Sequence, residues 1–296
     1  MDLLPISAWA DISQTWIAIC LFGAMVFACA FGFGARALVV RHVRRIAEEE
    51  EEPSGQETTV VAEVLGLLAL LLAFTFGVAL DRYEARRELV NSEAAAIGST
   101  YAVAQMLDEP HRTRIGTLLT AYVDNRIQLG DRGGHEAALV RTNDRLLAEI
   151  WAAVIAASDS ALARGVTEPL VEKATEVLEH DDLRKLARLT RVPPGVLQVL
   201  FIYVIVAAAM LGYVLDELRA RIAACLLFLL LTLSLVVIVD LNRPDSGFIR
   251  EPQMAMRMLS QSLKSRAQAE GPSRSAGETP IGKSGVHPMP GSDRAD

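Results

Sequence analysis

The 296-residue chain is short of the residues from which most active sites and small disulfide scaffolds are made: it has three cysteines and five histidines. Cys20, Cys29 and Cys225 all lie inside uncharged apolar runs, so they read as small apolar side chains and not as a disulfide framework. No histidine stands near them in sequence, which argues against a zinc site. There is no Gly-rich phosphate loop, no H-E-x-x-H and no G-x-S-x-G. No enzyme activity, cofactor or metal is therefore expected. The formal net charge is −7, bases are interleaved with acids, and no basic stripe with aromatics is present, so no nucleic-acid partner is expected. No segment alternates apolar and polar residues with a period of two, so no sheet is expected.

Charge is also missing from four long stretches, and this absence defines the chain. Ile12–Ala35, Val64–Leu80, Val192–Leu215 and Ile222–Val239 carry no charged residue, and Val60–Ala62 extend the second past Glu63. They account for a hydrophobic content of 51% and a mean hydropathy of +0.29. Each approaches or exceeds the roughly 18–20 apolar residues that cross a bilayer core, and none carries the polar stripe of a buried soluble helix. Nothing before Trp16 is basic, and Arg36, Arg41, Arg44 and Arg45 follow the first run, so it is read as a retained span and not a signal peptide.

The fold class expected is an all-α membrane protein. Four transmembrane helices form two hairpins, and an α-helical insert continues the second span. The segments are 1–80, first hairpin; 81–192, insert; 193–242, second hairpin; and 243–296, a turn, a weak helix and a tail too polar to pack from about Gln268. The acidic run Glu48–Glu52 reads as a solvated loop. Val60 to Leu107 lacks Pro, and beyond Asp81 it is rich in helix formers with Gly98 as its one glycine, so it is expected to form one rod of about 48 residues, roughly 70 Å long. Pro110 marks a restart, with Ile115, Leu118, Leu119, Tyr122, Val123 and Ile127 on one apolar face. A third helix runs from near His135 to Gly165, and Thr167 is the expected N-cap of a fourth carrying Leu170, Ala174, Val177 and Leu178. The run "EHDD", Glu179–Asp182, reads as a solvated face. The short link "DELRAR" makes spans three and four antiparallel neighbours.

Arg82, Arg86, Arg87, Arg184, Lys185, Arg188, Arg191, Arg243, Arg250 and Arg257 lie on the insert's side of the spans, against Arg36, Arg41, Arg44, Arg45, Arg219 and Arg221 on the other. That excess favours a cytoplasmic insert under the positive-inside rule, whereas the first helix alone, with no basic residue before it and four after it, argues the reverse; the expectation adopted is a cytoplasmic insert with both termini on the same side. Asp240 ends an apolar run, where an unpaired carboxylate is costly, so a partner is expected from Arg82, Arg86 or Arg243.

The stretches "FTFGVALDRYEARRELVNSEAAAIGSTY" and "DLNRPDSGFI" resemble the bacterial bestrophin-like domain family over roughly residues 60–249. More distantly, an apolar span followed by Arg82, Tyr83 and Arg86 is similar to the exit from the second span of bestrophin anion channels. The resemblance implies a homo-oligomer in a bacterial inner membrane, with second spans lining a pore for small anions. Leu70, Leu72, Phe74 and Phe76 would then be candidates for the constriction, and Arg82, Tyr83, Arg86 and Arg87 for the mouth. Glu93, Asp240, Arg243, Pro244 and Gly247 would be the structural motif. In the family an acid is common where Asn242 stands, and an aromatic where Asp245 stands. The other reading open at this level is a non-conducting membrane scaffold or sensor whose insert binds a partner.

Overall fold

A computed structural model of the chain describes residues 14–43, 55–133, 136–215, 217–243, 249 and 252–273. The described residues contain no strand. The helices are α1 (Gln14–Val43), α2 (Gly55–Ala104), α3 (His111–Asp131), α4 (Ala137–Ala156), α5 (Ser158–Ala163), α6 (Thr167–Leu189), α7 (Pro194–Val214), α8 (Leu218–Leu241) and α9 (Met254–Ser273). Four of these regions are long and apolar enough to cross a membrane, and they include α1, α2, α7 and α8. The acidic run, the Pro244–Gly247 turn and the tail beyond Ser273 lie outside the described residues.

The chain has two apolar cores. One, among the spans, includes Met25, Leu68, Ala79, Leu200, Val204, Phe228, Leu235 and Ile238. The other, in the insert, includes Val90, Ile97, Ile115, Leu119, Ile150, Leu170 and Val177, and takes Met256 and Leu263 from α9. Both hang on α2, which runs unbroken for 50 residues and is therefore about 75 Å long. Its chain passes Asp81 with no loop, as the sequence predicts, and ends three residues short of Leu107. A proline placed at Ala85, on this uninterrupted stretch, removes one backbone hydrogen bond and clashes with the preceding turn. Its expected cost is about 3 kcal/mol or more. Thermal unfolding in detergent reads this, with Ala276→Pro as a control expected to leave the transition unmoved.

Several local expectations are corrected. α7 and α8 follow one another but touch only sparsely; α1 packs most closely on α7, and α2 lies against both α7 and α8. The hairpins are thus interleaved, because the closest approaches go where glycine permits them. A Cβ on Gly32 would lie 1.9 Å from the Ala209 carbonyl oxygen, and one on Gly212 would lie 1.9 Å from that of Cys29. The third helix expected to run to Gly165 is broken at Ala157 into α4 and α5. Pro110 is the N-cap of α3, and not its first helical residue. There the Glu109 carboxylate accepts the Thr113 N–H at 3.3 Å, which satisfies an orphan donor of the first turn. Thr167 is inside α6 with Val166 at the N-cap position, and its Oγ1 is buried without making a cap. The weak helix expected after Arg250 is a full 20-residue element. Its Met256 and Leu263 complete the insert core, and Arg257 and Lys264 reach Asp131 and Asp124 of α3 at 2.7 and 2.8 Å.

Candidate functional site

At the exit of α2 from the apolar region, the four mouth candidates separate. Arg82 and Arg87 are exposed, Tyr83 is half-buried against the membrane core, and Arg86 is buried. Arg86 Nη2 donates to the Leu241 carbonyl at 2.7 Å, tying α2 to the last turn of α8. Asp240, the neighbouring residue, is buried, and its Oδ2 accepts the Ile249 N–H at 2.8 Å. Arg243 donates its own N–H to the Asp240 carbonyl at 2.9 Å. Burial and the nearby Arg191 depress the Arg243 guanidinium's affinity for its proton, and the Asp240 carboxylate acts in the opposite direction. Asn242 Oδ1 accepts the Val192 N–H at 2.7 Å, joining the lead-in of α7 to the end of α8. An acid at this position would accept the same bond, so the departure from the family pattern keeps the link. Pro244 and Gly247 are outside the described residues.

Of the constriction candidates, Leu70 and Phe74 are uncovered in the single chain, Phe74 being 66% exposed. Phe76 is exposed to a lesser degree, and Leu72 is half-buried against the membrane core. Leu70, Phe74, Val78 and Arg82 are four apart, so they form one uncovered stripe along α2 that turns from apolar to cationic at the exit.

The most developed polar arrangement lies deeper in the insert. Glu93 of α2 has 0% of its surface exposed. Its Oε2 accepts from Arg126 Nη2 of α3 at 2.9 Å and from Arg184 Nη1 of α6 at 2.5 Å, and its Oε1 accepts the Tyr122 hydroxyl at 2.6 Å. Asp181 of α6 receives Arg126 Nη1 at 3.1 Å and Asn143 Nδ2 of α4 at 3.0 Å. Lys185 closes the outer side at 2.7 Å from Asp181 Oδ2 and 2.9 Å from Asp144. Two acids thus face two buried guanidinium groups with no formal charge left over, and four helices share the cluster. Such groups are tolerated inside a protein only when paired and hydrogen-bonded.

Electrostatics follow the geometry. Burial disfavours the Glu93 carboxylate, but Arg126, Arg184 and the Tyr122 hydrogen bond outweigh it and hold its pKa below the usual 4.5. Burial and the Glu93 charge push the Tyr122 hydroxyl well above its ordinary value. Burial works against the Arg126 charge, yet Glu93 beside it keeps its pKa above that of a free arginine. A carboxyl whose folded pKa is depressed stabilises the fold above its unfolded pKa. That stabilisation is lost as pH falls through the lower, folded value. The insert is expected to unfold more readily as pH drops below about 4.5, and Glu93→Gln should flatten that part of the profile; circular dichroism melts across pH 3–7 check it.

This cluster corrects the solvated reading of "EHDD": Glu179 and Asp182 are exposed, but Asp181 is buried. The spacing carried the signal. Leu170, Ala174, Val177, Asp181 and Arg184 are all buried at alternating steps of four and three, as are Ile115, Leu119, Tyr122, Arg126 and Leu129, and Val90, Glu93, Ile97, Thr100 and Ala104. Charges at core positions of a heptad-like stripe are buried by their neighbours.

No match was found among curated protein sequences. Among solved structures, the chain is similar to two variants of a bacterial bestrophin homologue from Klebsiella pneumoniae. One shares 15% identity with a TM-score of 0.60, covering 86% of this chain and 98% of that one. The other shares 16% identity with a TM-score of 0.58, covering 82% and 99%. A third structure, described as a membrane protein, shares 12% identity with a TM-score of 0.55, covering 90% and 99%. The Bestrophin-like domain matches residues 26–250. This four-span helical membrane protein, with its insert carried on the second span, belongs to the Bestrophin-like domain family.

Proposed function

We propose that copies of the chain assemble into a ring around α2 and pass small anions, with the insert and termini in the cytoplasm of a bacterial cell. The observation that carries this reading is the uncovered stripe of α2, Leu70–Phe74–Val78, running into the exposed Arg82 on the same face. In a ring, apolar side chains of this size form a constriction that gates by dewetting, and a ring of arginines at its end raises the local concentration of anions. Of the four constriction candidates, Leu70 and Phe74 are therefore preferred. Arg82 and Arg87 are preferred for the mouth, since Arg86 is engaged with Leu241. Assembly also covers apolar surface that lipid does not reach: Leu183, Leu186 and Leu189 are exposed on α6, outside the spans.

Light scattering in detergent is expected to give a closed multimer, and chloride flux into proteoliposomes should exceed that of protein-free vesicles. Phe74→Ala should widen the constriction and raise flux, and Arg82→Glu should lower it. A monomer in detergent removes the central pore. A multimer without flux favours the second reading, a non-conducting scaffold in which another protein covers the leucine row on α6. Reporter fusions at the insert read the topology.

A further inference from the structure

On the end of the spans opposite the insert, a crevice of about 450 Å³ opens between the start of α2 and the end of α7. α2 contributes Gln56, Glu57, Val60 and Val61; α7 contributes Met210 and Tyr213. Its floor is apolar and continuous with uncovered surface at Val60, so an acyl or alkyl chain can enter from the side. Glu57 is the one formally charged residue among the described residues that line it. The helix dipoles oppose each other here, positive at the start of α2 and negative at the end of α7, so the full charge of Glu57 sets the sign. Arg221 of α8, also at this end, lies over the Phe33 ring of α1, 4.2 Å from its centroid. The sequence entering α2 from Ile46 to Ala62 contains acids and no base, and the stretch Tyr203–Leu218 around the end of α7 has the same character.

We infer that this crevice binds an amphiphile with an ammonium head, its chain against Val60, Val61 and Met210 and its head between the Glu57 carboxylate and the Tyr213 ring. A carboxylate beside an aromatic face suits a substituted ammonium, which gains charge pairing and a cation–π contact at once. The test of this site measures no flux.

The full chain, purified in a neutral maltoside detergent, is offered phosphatidylethanolamine and phosphatidylglycerol in equal amounts, and the retained lipid is counted by native mass spectrometry. Both lipids carry the same phosphate, so the ammonium is the difference between them. The ethanolamine lipid is expected to be retained about three- to tenfold over the glycerol lipid. Glu57→Gln should bring the ratio close to one, and Val60→Trp, which fills the crevice, should lower retention of both. Addition of dodecyltrimethylammonium separates the sources. Displacement of the lipid shows that an ammonium head on a single chain suffices, and persistence of the lipid assigns the site to a two-chain lipid. Equal retention of the two lipids by the native chain, or a preference unchanged by Glu57→Gln, overturns the assignment.

Discussion

Glu93→Ala should cost the folded protein about 3–5 kcal/mol, the range for removing one partner from a buried charged pair. Nothing about the position in sequence announces this, since alanine is the better helix former and the neighbours Ala94, Ala95 and Ala96 are already small. The cost arises on the other helices. Arg126 and Arg184 are each 3% exposed, and both direct a guanidinium nitrogen at Glu93 Oε2. Without the carboxylate, two positive charges stay buried around Asp181 alone, and the Tyr122 hydroxyl loses its short acceptor. Glu93→Gln keeps an acceptor oxygen but not the charge, so its effect should fall between native and Glu93→Ala. Replacing Glu93, Arg126, Asp181 and Arg184 together by leucine or methionine should restore much of the loss, because desolvation and pairing are removed in the same stroke. Denaturant or thermal unfolding in detergent measures the series. An alanine variant within about 0.5 kcal/mol of native, the ordinary range for surface substitutions, would mean that the cluster is not closed as described.

The second large effect is expected in the membrane. Gly32→Ala or Gly212→Ala puts a methyl group 1.9 Å from a main-chain carbonyl oxygen of the facing helix. A backbone cannot step aside as a side-chain tip can, so α1 and α7 must separate along the whole crossing. Spans associate largely through close van der Waals packing, and small residues are what allow backbones to meet. The cost should exceed the about 1–3 kcal/mol of ordinary overpacking. The two substitutions should be less than additive, because either alone already opens the same crossing. Gly23→Ala, on the same α1 with nothing within 4 Å of its added Cβ, is the matched control. It should be neutral or slightly stabilising, through the lower helix propensity of glycine. The yield of monodisperse protein and its melting temperature report both effects. If the Gly32 and Gly212 variants behave like the Gly23 variant, the close crossing is wrong.

These two sites differ in how far the sequence exposes them. The spans and the long α2 are legible because their signal is local: an uncharged run of bilayer length, then helix formers with no proline to stop them. The exit motif is legible in part. Arg86 and Asp240 can be placed at the same membrane border, but which group each one meets depends on how α2 and α8 pack. The interleaving of the hairpins escapes sequence reading, because loop length reports which ends are close and says nothing about which faces fit. The Glu93 cluster escapes for a different reason. A lone acid among alanines, and an arginine beside Tyr122 and Ile127, look like residues that face water, and only the register of all three stripes together puts them inside. α9 shows weakly in the sequence because its apolar residues are few; Met256 and Leu263 bury well only against a surface that α2 and α3 prepare.

The position of α9 also sets an order of events during synthesis. It follows both hairpins in the chain, yet its side chains complete the core of the insert, which the ribosome finishes much earlier. Domains of a growing chain fold as their segments emerge, but this one stays unsealed until the last span has been made. The insert therefore waits, with the places for Met256 and Leu263 open, while α7 and α8 enter the bilayer. A chain that stalls before or during the second hairpin keeps that apolar gap on display, which marks it for chaperones and proteases. Closure by α9 is thus the last step in building the insert core.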